Sequence, residues 1–226
     1  MTELEAIRRR HSVRTYLDRR IEQEKLEALS AMIREVNDAG KLHLQLLADA
    51  GKTFNRLLNR AMGLGSAPSV IACVGQDDDS LEERIGYYGE KIVLAAQAMG
   101  LNTCWAGTFS RGGIPAEIGA GERLVLVIAI GYGATQGKER RSKTPEQVSS
   151  ARAERPEWFD LGVELALLAP TAVNQQRFQI TLSEDGSVRI TDRGGVMSGV
   201  DLGIVKYHFE VGARAGGHAV SVMGGI

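Results

Sequence analysis

Cys73 and Cys104 are the only two cysteines in this 226-residue chain, and they lie too far apart to make a disulfide framework or a CxxC site. Both read as buried free thiols. The four histidines, His11, His43, His208 and His218, never fall at metal-ligand spacing, and no HExxH or carboxylate cluster accompanies them, so no metal is assigned. No apolar run reaches the roughly 18 residues of a membrane span. The opening residues also lack the basic-then-apolar layout of a signal peptide, so the expected location is cytoplasmic, without a membrane partner. Charge of one sign is missing too. With 27 basic and 28 acidic residues and a net charge of -1, the chain lacks the excess that nucleic acid or an anionic membrane rewards. Nor do aromatics, 5% of the chain, interleave with its basic N-terminus as a nucleic-acid surface requires.

What is present suits a globular protein: 43% hydrophobic and 24% charged residues can bury a substantial core as one large domain or two fused small ones. Leu4 and Ile7 suggest a short opening helix. Leu26, Leu29, Ile33 and Val36 recur at helical spacing until Asn37-Asp38-Ala39-Gly40. Residues 41–60 also read as helical, up to a break at Gly63-Leu64-Gly65-Ser66-Ala67-Pro68. Ser69 to Val74 reads as a short buried strand, followed by an acidic turn at 76–79. Ile85, Tyr88, Ile92, Ala95 and Met99 form an amphipathic stripe stopped by Gly100. After a glycine-rich loop, Leu124 to Ile130 is an apolar run short enough for a central strand, closed by Gly131-Tyr132-Gly133.

The highly charged segment 138–156 reads as a surface linker joining two sub-parts, 1–137 and 157–226. Beyond it, Trp158, Leu161, Leu165 and Leu168 repeat the helical period as far as Ala169-Pro170. Phe178-Ile180-Leu182 and Val188-Ile190 alternate around Glu184-Asp185-Gly186, predicting a hairpin. Leu202, Val205 and Phe209 predict a last helix, and the glycine-rich end is either mobile or an edge strand.

Two apparent nucleotide motifs fail on context. Ala50-Gly51-Lys52-Thr53 lacks the first P-loop glycine, since Leu46 stands there, and no strand precedes it. Gly131-Tyr132-Gly133 follows a strand but leads into Lys138-Glu139-Arg140-Arg141 instead of a helix packed on a sheet. The stretch Arg10-His11-Ser12-Val13-Arg14 is different: guanidinium groups fork onto anionic oxygens and a hydroxyl adds a donor, which suits a phosphate.

Three further elements accompany it: Ala169-Pro170-Thr171-Ala172-Val173-Asn174-Gln175-Gln176, Gly100-Leu101-Asn102-Thr103-Cys104-Trp105, and the basic Arg140-Arg141 after Gly131-Tyr132. Together these resemble the FMN-dependent nitroreductase family, with its R-x-S-x-R, A-P-S-x-x-N-x-Q, G-L-x-x-x-W and G-Y-then-basic pattern. The resemblance implies an α+β fold, a mainly antiparallel sheet flanked by helices. It implies that Arg10, Ser12 and one of Arg140 or Arg141 hold the FMN phosphate, with His11 beside them and Arg14 nearer the ribityl chain and the N1 edge. Asn174, with Gln175 or Gln176, would face the mixed donor and acceptor edge of the flavin ring, and the loop Trp105-Ala106-Gly107-Thr108 would lie near N5. Asn174 has a plainer role available, shaping the turn after its helix, and His208 reads as a packing histidine.

The order of the elements departs from the ordinary family, because the Asn-Gln turn comes about 130 residues late and ends in Gln175-Gln176-Arg177. This resembles a rearranged subgroup in which one chain carries pieces of two subunits, implying one flavin site per chain in a monomer that mimics a dimer, or else a homodimer. The implied activity is hydride transfer from NAD(P)H through flavin N5 to a small-molecule acceptor such as a nitroaromatic or quinone. With the flavin carrying the chemistry, no catalytic side chain is assigned. A non-catalytic flavin-binding or sensing protein is the alternative.

Overall fold

A computed structural model describes residues 1–48, 67, 69–107, 114–151 and 154–223. In chain order the elements are α1 (Glu3–Arg9), α2 (Gln23–Gly40), β1 (Gln45–Leu47), β2 (Ser69–Gln76), α3 (Leu81–Ala98), β3 (Asn102–Ala106) and β4 (Glu122–Gly131). There follow α4 (Pro145–Val148), β5 (Ser149–Ala151), α5 (Glu157–Leu167), a 3-10 turn (Ala172–Asn174), β6 (Phe178–Leu182), β7 (Val188–Asp192) and α6 (Ser198–Ala215). The expected helices around Leu29, Ile85, Leu165 and Phe209, the strands at 69–74 and 124–130, and the 178–190 hairpin all form. Among the described residues no helix is long and apolar enough to cross a membrane.

The chain divides into two compact units. The first comprises Met1–Arg8, Glu82–Lys91 and Arg140–Ile226, and the second Arg9–Leu81 and Ile92–Glu139. The second unit holds a four-stranded antiparallel sheet in the order β1-β2-β4-β3. Because β4 is paired on both edges, Val127 to Ile130 are fully buried, as the unbroken apolar run requires. One face of this sheet packs Val70, Ala72, Val74, Val127 and Ala129 with Val13, Tyr16 and Cys104. Both cysteines are free and buried.

The first unit carries a smaller sheet, β5-β6-β7, with β5 parallel to β6 and β6 antiparallel to β7. Its helix α6 is buried on nearly every side from Gly203 to Ala213, although it carries Lys206, His208 and Glu210. The backbones of α5 and α6 nearly touch: a Cβ on Gly212 would lie 2.6 Å from the Leu161 carbonyl oxygen. Phe159 and Phe209 meet edge to face at 5.7 Å beside this crossing. Each polar residue on the buried helix is matched. Lys206 pairs with Glu83 at 2.6 Å, Glu210 accepts from Tyr87 at 2.5 Å, and His208 lies 2.9 Å from Glu90 and 3.0 Å from the Leu165 carbonyl. His208 is thus the satisfied packing residue its setting in the sequence suggests.

Three expectations are corrected. Residues 42–47 are extended, not helical: α2 ends on Lys41 in the left-handed region (φ 48°), and Asn37 then acts as a one-residue strand. Its Oδ1 accepts from the Leu44 amide (2.8 Å) and its Nδ2 donates to the Leu44 carbonyl (3.0 Å), delivering Gln45–Leu47 to β2. The rest of the expected 41–60 helix and the Ala50–Thr53 sequence lie outside the described residues. Segment 138–156 is more than a linker, because it contains α4 and β5, and β5 adds to β6. Finally, the glycine-rich end, expected to be either mobile or an edge strand, forms no strand over residues 218–222, and Gly224-Gly225 lie outside the described residues.

Candidate functional site

In the second unit the N-terminal basic segment is stitched alongside β3. Ser12 bridges Thr103 in parallel, and the Val13 amide donates to the Thr103 carbonyl at 3.0 Å. Farther along, the Leu17 amide donates to the Tyr132 carbonyl (2.8 Å) and the Ala134 amide to the Thr15 carbonyl (2.9 Å). Residues 12–17 therefore run from β3 to the stretch after β4. Asn102, itself buried, fixes that stretch by accepting from the Gly133 amide (2.9 Å) and donating to Gln136 (3.3 Å).

This threading sets Arg10, Ser12 and Arg14 at alternate positions beside β3, and all three act on the Cys104 thiol. Burial pushes the Cys104 thiol up, while Arg14, then Arg10, and a hydrogen bond with Ser12 pull it back. Arg10 is 5% exposed, whereas Arg14 is exposed. His11 lies against Gly137, where a Cβ would come 2.6 Å from the His11 Cβ. That contact, with φ at +82°, is one only glycine meets without strain.

The expected Trp105–Thr108 loop is corrected. Trp105 and Ala106 belong to β3, opposite Ile128 and Val127, because the edge of β4 offers them ladder partners. Of that loop only Gly107 follows the strand among described residues, and Thr108 lies outside them.

The remaining residues gather in the first unit. Arg140 donates to the carbonyls of Leu167 (2.9 Å) and Ala169 (2.8 Å), so it caps the C-terminal end of α5. Arg141 is exposed, and its side chain makes no hydrogen bond or ion pair among the described residues. Its carbonyl accepts from Asn174 Nδ2 (2.8 Å) and Gln176 Nε2 (3.1 Å). Gln176 is buried and fully engaged: Nε2 also donates to Asn174 Oδ1 (3.0 Å), Oε1 accepts from the Lys143 amide (2.9 Å), and its carbonyl accepts from Lys143 Nζ (2.6 Å).

Gln175 is turned inward as well. Its Nε2 donates to Asp201 (2.7 Å) and the Val196 carbonyl (2.8 Å), and its Oε1 lies 2.2 Å from where a Gly195 Cβ would stand. Asp201, in the first turn of α6, also accepts from the Ala172 amide at 2.9 Å. Burial pushes its carboxyl up to about 6, against the pull of hydrogen bonds from Gln175 and Ala172.

The backbone here is strained: Val173, Asn174 and Gln176 have φ of 46°, 56° and 44°, a region that costs a branched residue most. Val173 is 88% exposed at the tip. Such strain persists only where surrounding bonds over-determine it, and the amide bonds above do so. Asn174 thus shapes the turn and remains exposed. Lys143 and Asp201 are site-supporting residues absent from the sequence reading; for Asp201 the available signal is an acid in the first turn of a helix.

The profile of a family described as "Putative TM nitroreductase" matches residues 3–213. A structure described as a putative nitroreductase from Thermotoga maritima superposes with a TM-score of 0.69 at 25% identity, covering 95% of this chain and 85% of that one. An FMN-dependent nitroreductase from Clostridium difficile R20291 gives 0.48 at 20% identity, over 64% of this chain and 94% of its own. A putative nitroreductase in complex with FMN from Desulfovibrio desulfuricans gives 0.49 at 20% identity, over 69% and 98%. No curated protein matches the chain.

Proposed function

Because the chain belongs to the family described as "Putative TM nitroreductase", we propose that it is an FMN-dependent oxidoreductase using NAD(P)H to reduce a nitroaromatic, quinone or similar acceptor. The observation that carries this reading is the pairing of Ser12 and Val13 with Thr103, which sets Arg10, Ser12 and Arg14 at alternate positions beside β3. Two cations and a hydroxyl fit the phosphate and ribityl end of FMN, and a buried Arg10 would bind an anion in a low dielectric where charge-assisted bonds are strong.

Arg10 and Ser12 would hold the phosphate, with His11 fixed beside them by Gly137. Within the first unit, Arg141 is the guanidinium left available to an anion, since Arg140 is committed to helix carbonyls, and Asn174 is the exposed amide on the turn that Gln175 and Gln176 hold. Arg14 would stabilise negative charge on a reduced ring. The chemistry FMN supplies when bound is two-electron transfer at N5. The side chains orient and exclude water, and none is required as a nucleophile.

The test is spectroscopic. Purified protein, or protein incubated with FMN, should be yellow with about one flavin per chain, bleach under NAD(P)H without oxygen, and recover colour when a quinone is added. Failure to take up FMN would refute the reading. Flavin uptake without NAD(P)H oxidation would identify the flavin-binding or sensing alternative.

A further inference from the structure

One step beyond the last ladder pair of the hairpin, Phe178 opposite Asp192, the Arg193 amide donates to the Arg177 carbonyl at 2.9 Å. The pairing therefore extends by one residue and sets two arginines directly opposite each other. Directly opposed residues share a face of the sheet with Cβ atoms about 5 Å apart, and like charges there repel. Both side chains are exposed, and among the described residues neither makes an ion pair or side-chain hydrogen bond. Asp192 alternates to the other face, where its Oδ1 accepts from the Gly194 amide at 2.6 Å.

The alternation is consistent along both strands. Phe178, Ile180 and Leu182 are buried, while Gln179 and Thr181 share the Arg177 face, opposite Thr191 and Arg189. Among the described residues of these two strands, this face holds cations, hydroxyls and an amide, with no carboxylate and no aromatic ring. Donors without a stacking surface suit a sugar phosphate and not an unstacked base. A long polyanion is disfavoured by the short tract and the net charge of -1. Arg177 follows directly on the strained Asn174–Gln176 turn.

We propose that Arg177 and Arg193 form a fork for a phosphate monoester, and that its source is the 2′-phosphate of the nicotinamide donor, which makes NADPH the preferred reductant. This rests on the oxidoreductase reading above. The bound dianion would relieve the repulsion between the two guanidinium groups.

The test is calorimetric titration of the flavin-loaded protein with 2′,5′-ADP and, separately, 5′-AMP. The expected result is tighter binding of 2′,5′-ADP, weakened about tenfold or more in R177Q and R193Q, partly restored in R177K, with 5′-AMP unchanged. In steady state kcat/KM should fall for NADPH and not for NADH. Equal binding of the two nucleotides by the native protein, or equal losses for both in the variants, would overturn the fork. Loss of FMN, with riboflavin binding retained, would also overturn it by assigning these arginines to the flavin phosphate. If no flavin is taken up, the oxidoreductase reading fails, while the same nucleotide titration of the flavin-free protein still reports on the fork. Unchanged thermal unfolding of the variants confirms that they fold.

Discussion

Gln175 donates to the Asp201 carboxylate at 2.7 Å, tying the strained turn that carries Asn174 to the first turn of the last helix. Asp201 accepts from the Ala172 amide too, so a single half-buried acid holds the turn at two points. Burial raises its carboxyl to about 6 from an ordinary 3.8. Between those values the folded chain keeps a proton that the unfolded chain has released. Its contribution to stability is therefore full below about pH 4, declines as pH rises to about 6, and is flat above, for a change on the order of 2–3 kcal/mol. Urea unfolding across pH 4–7 should show D201N with a flatter profile than the native protein. An unchanged slope would assign the titration elsewhere.

Neighbouring arginines should separate by role. Arg140→Gln is expected to cost about 1.5–3 kcal/mol, since two helix-end carbonyls lose a charged donor. Arg141→Gln should change stability by less than about 0.5 kcal/mol while weakening FMN binding. Chemical denaturation and flavin titration of the two variants check this together.

Gly203 should tolerate no side chain. A Cβ there would lie 2.0 Å from the Glu83 carbonyl oxygen and 2.6 Å from the Tyr87 amide nitrogen, which are backbone atoms that cannot swing away. Gly203→Ala is expected to lose several kcal/mol or fail to fold. Gly186→Ala, at φ +80° with open space around it, should lose only about 1 kcal/mol. Thermal unfolding of both variants provides the comparison.

His208 and Glu90 are both fully buried. Nδ1 of His208 faces a carbonyl, so it donates, and Nε2 is hydrogen-bonded to the Glu90 carboxyl at 2.9 Å. Glu90→Ala leaves that nitrogen alone in the core and should cost about 3–5 kcal/mol. Glu90→Gln retains a hydrogen-bonding partner and should cost less. Equal losses in the two variants would show that the bond itself contributes nothing.

Local pattern was enough wherever one element's own residues decide its structure. The stripe ending at Gly100, the apolar run 124–130 and the alternation around Gly186 all give elements of the expected kind. Distant partners decide the rest. Nothing within 41–47 announces a strand; the Asn37 amide and the edge of β2 impose it. The charge of 138–156 hides Gln147, which accepts from the Thr144 amide at 2.9 Å to start α4, and β5 exists only because β6 lies beside it. Among the candidate residues, Arg10 and Ser12 in one unit and Asn174 in the other are marked by residue type alone. The sequence cannot distinguish Arg140 from Arg141, because the difference lies in the two carbonyls at the end of α5. Likewise the inward engagement of both glutamines depends on Lys143 and Asp201.

Glu3 accepts from Tyr207 and, at 2.6 Å, from Arg214, contacts that span more than 200 positions of the chain. On a ribosome, α1 emerges long before the helix that anchors it, and the stretch 82–91 likewise waits for Lys206, His208 and Glu210. The unit built from these pieces cannot close as synthesis proceeds, and its early apolar residues, Ala6 and Ile7 among them, stay exposed until the last helix arrives. A chain cut before residue 198 should be a substrate for chaperones and proteases, however complete its other sheet.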